Sequence, residues 1–373
     1  MITNLEVSNY RSIGQEAHLR LGRLAIMIGP NGAGKSNLLD VLSFVRDAVL
    51  QGLPAAVIHR GGIKSIRRHS RGRPFDIHIA LSIKQDDLTG SYGFVITGDR
   101  AEDYRVKSEW AACRDKLGEP GRFERDDQQI NLDGPTPRID PQSLVLTTLG
   151  GDERFKPLVD CLSSMRVYSI FPDTLRAPQK FDIERPMKPH GENWVSVLKE
   201  MGEPERDELR AGLLKLTGDI EDVKVTSAAG YLVPEFKQKA ESAKDKRWFE
   251  AARQSDGTLR VAGLITALVQ QPPLTLIGIE EPELTVHPGA LPMLYDYMKQ
   301  ASEVSQVIFT THSPIILDVV DVDTDLLFAV DRIDGITSVR RLTDEQLAPV
   351  RQRLLQLGEL FASGELQLSL FDR

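Results

Sequence analysis

The residues best suited to chemistry begin at Gly29. The chain runs Gly29-x4-Gly34-Lys35-Ser36, with an apolar run at 24–28 before it and apolar residues at helical spacing after it. Glycines let backbone N–H groups turn inward around an anion, and the start of a helix adds positive charge there. A lysine reaches terminal phosphates, and a serine hydroxyl suits Mg²⁺. The pattern therefore predicts a phosphate-binding loop between a strand and a helix.

Two adjacent carboxylates, Glu280 and Glu281, follow a second apolar run at 274–279. We expect this run to be a buried strand whose carboxyl end lies beside the phosphate loop. Two like charges this close repel each other unless a cation joins them. We assign Glu280 to Mg²⁺ and Glu281 to the general base that activates water against a γ-phosphate. The alternative is a strand end with two solvated charges.

A third apolar strand, at 307–311, ends at His312. Its distance from the glutamates suits one β–α–β crossover, which would bring His312 to the same edge of the sheet. A neutral imidazole there could hydrogen-bond the γ-phosphate. The alternative is a structural histidine at a strand end.

Together these segments resemble the ABC-type ATPase heads of the SMC, RecF and OLD group. GPNGAGKSN at 29–37, SDGTLR at 255–260, IEEPE at 279–283 and THSP at 311–314 follow the order of that group, and NYRS at 9–12 resembles its opening element. The resemblance implies an α/β fold, an ABC-type P-loop NTPase head with an antiparallel β lobe and a helical lid. SDGTLR departs from the usual LSGGQ, and places Asp256 where a glycine is usual.

The resemblance also implies a mechanism in which two heads pack head to tail around two ATP molecules, as a homodimer or a higher oligomer. Ser255 and Gly257 of one chain would contact the γ-phosphate held by the other, while Asp256 would cap the helix and face away. The predicted nucleotide-binding residues are Arg11, Asn31, Gly32, Ala33, Gly34, Lys35, Ser36, Asn37, Ser255 and Gly257. The predicted catalytic residues are Lys35, Glu281 and His312, and the predicted Mg²⁺ ligands are Ser36, Glu280 and Gln179.

Gln179 is chosen because it follows a predicted strand and leads into the lid; a surface glutamine is the alternative. We predict strands at 75–83 and 92–97 and near 104–111 and 165–171, and a mainly helical lid at 191–254. The predicted domains are an ATP-binding lobe at 1–180, a helical lid at 181–262, a C-terminal lobe at 263–340 and a helix and tail at 341–373.

Composition limits the class of partner. The chain has 373 residues and a net charge of −8, which argues against wholesale coating of nucleic acid. Cys113 and Cys161 lie far apart without a CxxC or a His partner spacing, so we expect reduced thiols and a cytoplasmic protein. No stretch approaches the roughly 18 apolar residues that a membrane span needs, so we expect no membrane contact. The segment 59–73 is locally basic and could lie along DNA, or be a solvated loop. Its cations are Arg60, Lys64, Arg67, Arg68, Arg71 and Arg73.

The tail Gln367–Phe371 reads QLSLF, which matches the peptide that binds bacterial sliding clamps; the alternative is a tail packed on its own domain. We therefore expect an ATPase that switches a DNA-linked process, phage defence or DNA maintenance, with a separately encoded effector nuclease or toxin. The alternative function is a DNA-binding replication or recombination accessory factor of RecF type whose hydrolysis times release.

Overall fold

A computed structural model describes residues 1–70, 72–85, 88–116, 118–127, 129–239 and 247–366. Arg71 and the clamp motif Gln367–Phe371 lie outside the described residues. No helix in the described part of the chain is both long and apolar enough to cross a bilayer.

The described strands and helices follow in chain order. The strands are β1 (Ile2–Ser8), β2 (Ala17–Arg20), β3 (Leu24–Ile28), β4 (Ile77–Gln85), β5 (Leu88–Thr97), β6 (Arg105–Asp115), β7 (Gly121–Arg125), β8 (Ile130–Leu132), β9 (Met165–Tyr168), β10 (Ile220–Ala228), β11 (Tyr231–Gln238), β12 (Arg247–Glu250), β13 (Leu276–Glu280), β14 (Gln306–Thr311), β15 (Leu326–Ile333) and β16 (Ile336–Arg341). The helices are α1 (Lys35–Gln51), α2 (Leu53–His59), α3 (Ile63–Ile66), α4 (Val145–Thr148), α5 (Lys156–Ser163), α6 (Pro172–Arg176), α7 (Trp194–Glu200), α8 (Glu203–Thr217), α9 (Asp256–Val269), α10 (Leu291–Ala301), α11 (Pro314–Leu317), α12 (Asp344–Arg351) and α13 (Leu357–Ala362).

A six-stranded sheet organises the molecule, in the order β16-β15-β3-β14-β13-β9. All its neighbouring strands run parallel except the pair β15–β16. Successive residues of β3 enter two different cores, since Ala25 and Met27 face one and Ile26 and Ile28 face the other. A strand buried on both faces must be apolar throughout, which explains the uninterrupted run LAIMI.

A seven-stranded antiparallel sheet covers one side, in the order β2-β1-β4-β5-β6-β7-β8. Alternate residues of β4 are buried and share a core with α1, as period-two patterning requires. The α/β fold with an antiparallel lobe is therefore confirmed. The predicted strands are present as β4, β5, β6 and β9, although β9 stops at Tyr168.

The second core packs α7 to α11 against the other face of the six-stranded sheet, together with β10 and β11. The prediction of a mainly helical segment at 191–254 is wrong at Ile220–Ala228, Tyr231–Gln238 and Arg247–Glu250, which form a three-stranded antiparallel sheet, β10-β11-β12, after α8. Positive φ angles at Ala229 (49°) and Gly230 (82°) form the turn between β10 and β11. Alternating burial along YLVPEF at 231–236 then fits a strand and not a helix. The domain boundaries at 180, 262 and 340 stay predictions.

Candidate nucleotide site

The loop between β3 and α1 requires glycine at two positions where other chain segments approach. A Cβ on Gly29 would lie 2.1 Å from the carbonyl oxygen of Val330, and one on Gly34 would lie 2.1 Å from Oγ1 of Thr337. Gly34 also has a φ of 105°, which disfavours any residue with a side chain. The first turn of α1 therefore opens directly into the loop, with its free N–H groups available to an anion.

Lys35 is buried and folds back over the loop. Its Nζ donates to the carbonyl oxygens of Gly29 at 2.8 Å and Pro30 at 3.0 Å. Burial lowers the pKa of the Lys35 ammonium, while the charges of Glu281 and Glu283 oppose this shift. The ammonium thus already lies at the loop, held by carbonyls that phosphate oxygens can replace.

The carboxyl ends of three parallel strands bring the predicted catalytic groups to one edge. β14 lies between β3 and β13, so Glu280 pairs with Thr310, and Thr311 pairs with Ile28. The residue after β14, His312, faces Glu281, with 3.2 Å between Nδ1 and Oε1. β3, which leads into the phosphate loop, and β13, which leads into the glutamates, are therefore not direct neighbours. β14 lies between them, and the residue that follows it, His312, lies between the two groups.

Glu281 has a backbone φ of 43°, in the left-handed region that a non-glycine residue seldom adopts. Such strain persists only where surrounding contacts impose it, and it concentrates at functional sites. The backbone N–H of Glu281 donates to both the carbonyl oxygen and Oγ1 of Thr310, which ties the turn to β14.

The predicted Mg²⁺ ligands differ in their availability. Ser36 is exposed and Glu280 is half-buried, and among the described residues neither side chain has a hydrogen-bonding partner. Two oxygen donors of this kind fit Mg²⁺, which usually completes its shell with substrate phosphates and water.

Gln179 is engaged elsewhere. Its amide nitrogen donates to the carbonyl oxygens of Thr174 and Gly191, at 3.1 and 2.8 Å, and its amide oxygen accepts from the N–H of Val195 at 3.0 Å. α6 also separates it from the end of β9. A role at the metal would require these contacts to break, and that assignment stays a prediction.

A cavity of about 760 Å³ adjoins the start of α1. Asn37 and Arg11 both line it, and Asn37 Nδ2 donates to Ser12 Oγ at 2.6 Å. The guanidinium of Arg68 lies over the ring of Phe75 at 4.3 Å on the cavity wall. The cavity is adjacent to the phosphate loop and lined by cations and an aromatic ring, which suits the rest of a nucleotide.

The predicted signature segment begins α9. Ser255 is exposed and caps the helix, because its Oγ accepts from the N–H of Thr258 at 3.1 Å. The prediction that Asp256 caps the helix is wrong; Asp256 lies one position inside and forms an ion pair with Arg176. A Cβ on Gly257 would lie 2.5 Å from the carbonyl oxygen of Thr285, so only glycine lets the two segments approach this closely.

Two residues of the site were given no role by the sequence analysis. Arg260, on α9, is only 4% exposed and donates to the carbonyl oxygens of Ile170, Glu280 and Glu281 at 2.6, 3.1 and 2.8 Å. Burial lowers the pKa of its guanidinium. Glu283 is buried beside His312. Both belong to the quoted motifs, but nothing in their spacing indicated these contacts.

Part of the basic segment 59–73 is paired within the molecule. Arg60 forms ion pairs with Asp40 and Asp47, and Lys64 forms one with Glu102. Arg67 is 6% exposed and makes long contacts to backbone carbonyls. These contacts engage Arg60 and Lys64, whereas Arg67 and Arg68 line the cavity beside α1, and DNA binding here stays a prediction.

Known proteins resemble this chain in sequence and in fold. A family model described as "AAA domain, putative AbiEii toxin, Type IV TA system" matches residues 24–149 and 176–318, more than half of the chain. A protein named "OLD nuclease" from Thermus scotoductus is 25% identical over 386 residues, which span 97% of this chain and 68% of the relative.

Two solved structures share the fold. One is an Smc head bound to the C-winged helix domain of ScpA, with a TM-score of 0.57, 14% identity and coverage of 93% of this chain and 99% of that one. The other is an Smc head domain with an extended coiled coil bound to the C-terminal domain of ScpA, from Pyrococcus furiosus, with a TM-score of 0.57, 12% identity and coverage of 95% and 99%. The expected resemblance to ABC-type ATPase heads is confirmed.

Proposed function

The chain belongs to this AAA domain family and has the fold of an ABC-type ATPase head, and from that premise we propose that it hydrolyses Mg·ATP to ADP and phosphate. The observation that carries the proposal is the meeting of Lys35, Glu281 and His312 at the carboxyl edge of one parallel sheet. Each residue follows a different parallel strand: β3, β13 or β14. Together they provide a cation for the phosphates, a base for the water and a hydrogen-bonding group for the γ-phosphate, which are the groups that phosphoryl transfer needs.

In the proposed reaction, Glu281 takes a proton from the water that attacks the γ-phosphorus, and the bond to the bridging oxygen of ADP breaks. Lys35 exchanges the carbonyls of Gly29 and Pro30 for phosphate oxygens. His312 directs Nδ1 at Glu281, and Nε2 can donate to a γ-phosphate oxygen at the same time only in the imidazolium, which carries a proton on each ring nitrogen. Mg²⁺, held by Ser36 and Glu280, would neutralise charge on the phosphates.

We propose further that two chains pack head to tail around ATP, as a dimer or within a higher oligomer. Exposed apolar side chains support a face of this kind, because Leu284 is 40% exposed and Ile315 is 46% exposed, each three residues from a catalytic group. Ser255, at the exposed start of α9, would then contact the γ-phosphate of the second chain.

The process under control is proposed to be DNA-linked, in phage defence or DNA maintenance, with a separate effector nuclease or toxin. The likeness to a protein named OLD nuclease supports this proposal. Activity that appears only with a second protein would support the effector. ATP-dependent duplex binding by this chain alone would support the accessory-factor alternative.

The first experiment is the solution mass of the Glu281→Gln protein, by light scattering, with and without Mg·ATP. Removing the base should leave ATP bound and unhydrolysed, so the mass should double on adding Mg·ATP. Lys35→Ala, the matched control, should neither bind ATP nor change in mass. A Glu281→Gln protein that binds ATP without a change in mass would refute the ATP-bridged dimer. A wild-type protein that releases no phosphate would refute the ATPase.

A further inference from the structure

The catalytic edge contains a buried carboxylate that the proposed reaction does not use. The side chain of Glu283 is 6% exposed. Its Oε1 accepts from Thr311 Oγ1 at 2.7 Å and from the backbone N–H of His312 at 3.2 Å. Its Oε2 is buried without a hydrogen-bonding partner among the described residues.

Burying the charged carboxylate of Glu283 costs free energy that two hydrogen bonds to Thr311 and the backbone of His312 do not require. A neutral glutamine could accept the same two hydrogen bonds through its amide oxygen and would avoid the cost of burying a charge. The negative charge therefore needs another partner. The nearest ionisable group is the ring of His312, whose Nδ1 lies 3.7 Å from Glu283 Oε1.

His312 Nδ1 faces two carboxylates at once. Glu281 Oε1 lies 3.2 Å away and Glu283 Oε1 lies 3.7 Å away. A nitrogen lone pair directed at two carboxylates would be repelled, so the proton belongs on Nδ1. Glu281 must turn toward the attacking water to act as a base. Glu283 cannot turn in the same way, because Thr311 and the backbone of His312 hold it.

We propose that Glu283 is a positioning residue, which keeps a proton on Nδ1 of His312 and holds the ring in place when Glu281 turns away to activate water, so that the imidazolium can still donate from Nε2 to the γ-phosphate. The proposal rests on the proposed ATPase function for its catalytic consequence. The placement of the His312 proton by Glu283 stands apart from that function and can be measured without turnover. The charge of Glu283 also opposes the lowering of the Arg260 and Lys35 pKa values by burial, but among the described residues the ion-pair contact of Glu283 is with His312.

The test compares Glu283→Gln, which keeps shape and removes charge, with Glu303→Gln, an exposed carboxylate, as control. Long-range ¹H–¹⁵N spectra of the histidine rings, with His312 assigned from a His312→Gln sample, report which ring nitrogens carry protons. Because Glu281 alone would hold the Nδ1 proton at 3.2 Å, the spectra are compared in a Glu281→Ala background. We expect the Nδ1–H signature of His312 in Glu281→Ala, with or without Glu303→Gln, and its loss when Glu283→Gln is added. In Glu283→Gln alone, we expect kcat to fall about 10- to 100-fold while the Kd for ATP changes less than about threefold.

Thr311→Val gives a second variant in case Glu283→Gln does not fold. It removes the hydroxyl that holds the carboxylate but keeps the charge, so it should lower kcat by a smaller factor with unchanged ATP affinity. An unchanged His312 spectrum when Glu283→Gln is added to Glu281→Ala, or an unchanged kcat in folded Glu283→Gln or in Thr311→Val, would overturn the proposal. If the wild type releases no phosphate, the ATPase function fails and the spectra alone decide the role of Glu283.

Discussion

Replacing Arg260 by lysine should uncouple the signature helix from the catalytic turn. The guanidinium of Arg260 reaches from α9 to Ile170 on one side and to the carbonyl oxygens of Glu280 and Glu281 on the other. A lysine keeps the charge but has one donor atom, which cannot reach carbonyls on both sides at once. The variant therefore separates the effect of the planar guanidinium, which donates on both sides, from the effect of the positive charge.

The expected magnitude follows from the three contacts. A hydrogen bond from a charged donor contributes about 1.5–3 kcal/mol. Nη2 alone donates to both Glu280 and Glu281, so a lysine at that side loses one of the three bonds and a lysine at Ile170 loses two. The loss is roughly 1.5–6 kcal/mol before relaxation, so we expect the free energy of unfolding to fall by about 3 kcal/mol. kcat should fall as well, because Glu281, strained at a φ of 43°, loses a contact that fixes its turn.

Urea denaturation followed by circular dichroism measures the stability, and phosphate release measures kcat. Arg253→Lys is the matched control, since Arg253 is exposed just before the same helix. A loss below about 1 kcal/mol with an unchanged kcat would refute the reasoning, because the fork would then contribute no more than an ordinary surface contact.

Two further predictions concern other parts of the fold. Gly34→Ala should weaken ATP binding at least about 100-fold by calorimetry, because the new Cβ would lie 2.1 Å from Thr337 Oγ1 at a φ of 105°; Gly72→Ala, in open space, should bind normally. Burial raises the pKa of Glu109 from 4.5 to about 7, so its stabilising contribution is full below pH 4.5 and lost as the pH rises through 7. From pH 5 to 8 the wild type should lose up to about 3 kcal/mol relative to Glu109→Gln, and parallel thermal-melting profiles would contradict this.

Local patterns predicted the parts of the site that are close in sequence. Gly34 and Lys35 follow an apolar run and begin a helix, and this order alone specifies a strand, a loop and a helix. The strand that ends at Glu280 and the strand that ends before His312 were also predictable from local sequence. Each is a short apolar run with a polar residue at its end.

Contacts between distant segments were not predictable in this way. Thr337 closes the phosphate loop by donating to the carbonyl oxygen of Ala33 at 2.7 Å, yet it comes from a strand near the other end of the chain. The three-stranded sheet was missed although two sequence signals for it were present. Polar and apolar residues alternate along β10 from Asp222 to Thr226, and Ala229-Gly230 forms the turn that follows.

The order of strands in the central sheet also constrains how the protein is made. β3 carries the phosphate loop, and its two neighbours are β14 and β15, so Leu24 pairs with Val307 and Ala25 pairs with Leu326. A ribosome that adds residues from the N-terminus has synthesised most of the chain before β3 gains either partner. The phosphate loop is therefore synthesised early but reaches its folded form late. Until β14 and β15 are synthesised, the apolar strand β3 has neither of its pairing partners in the central sheet.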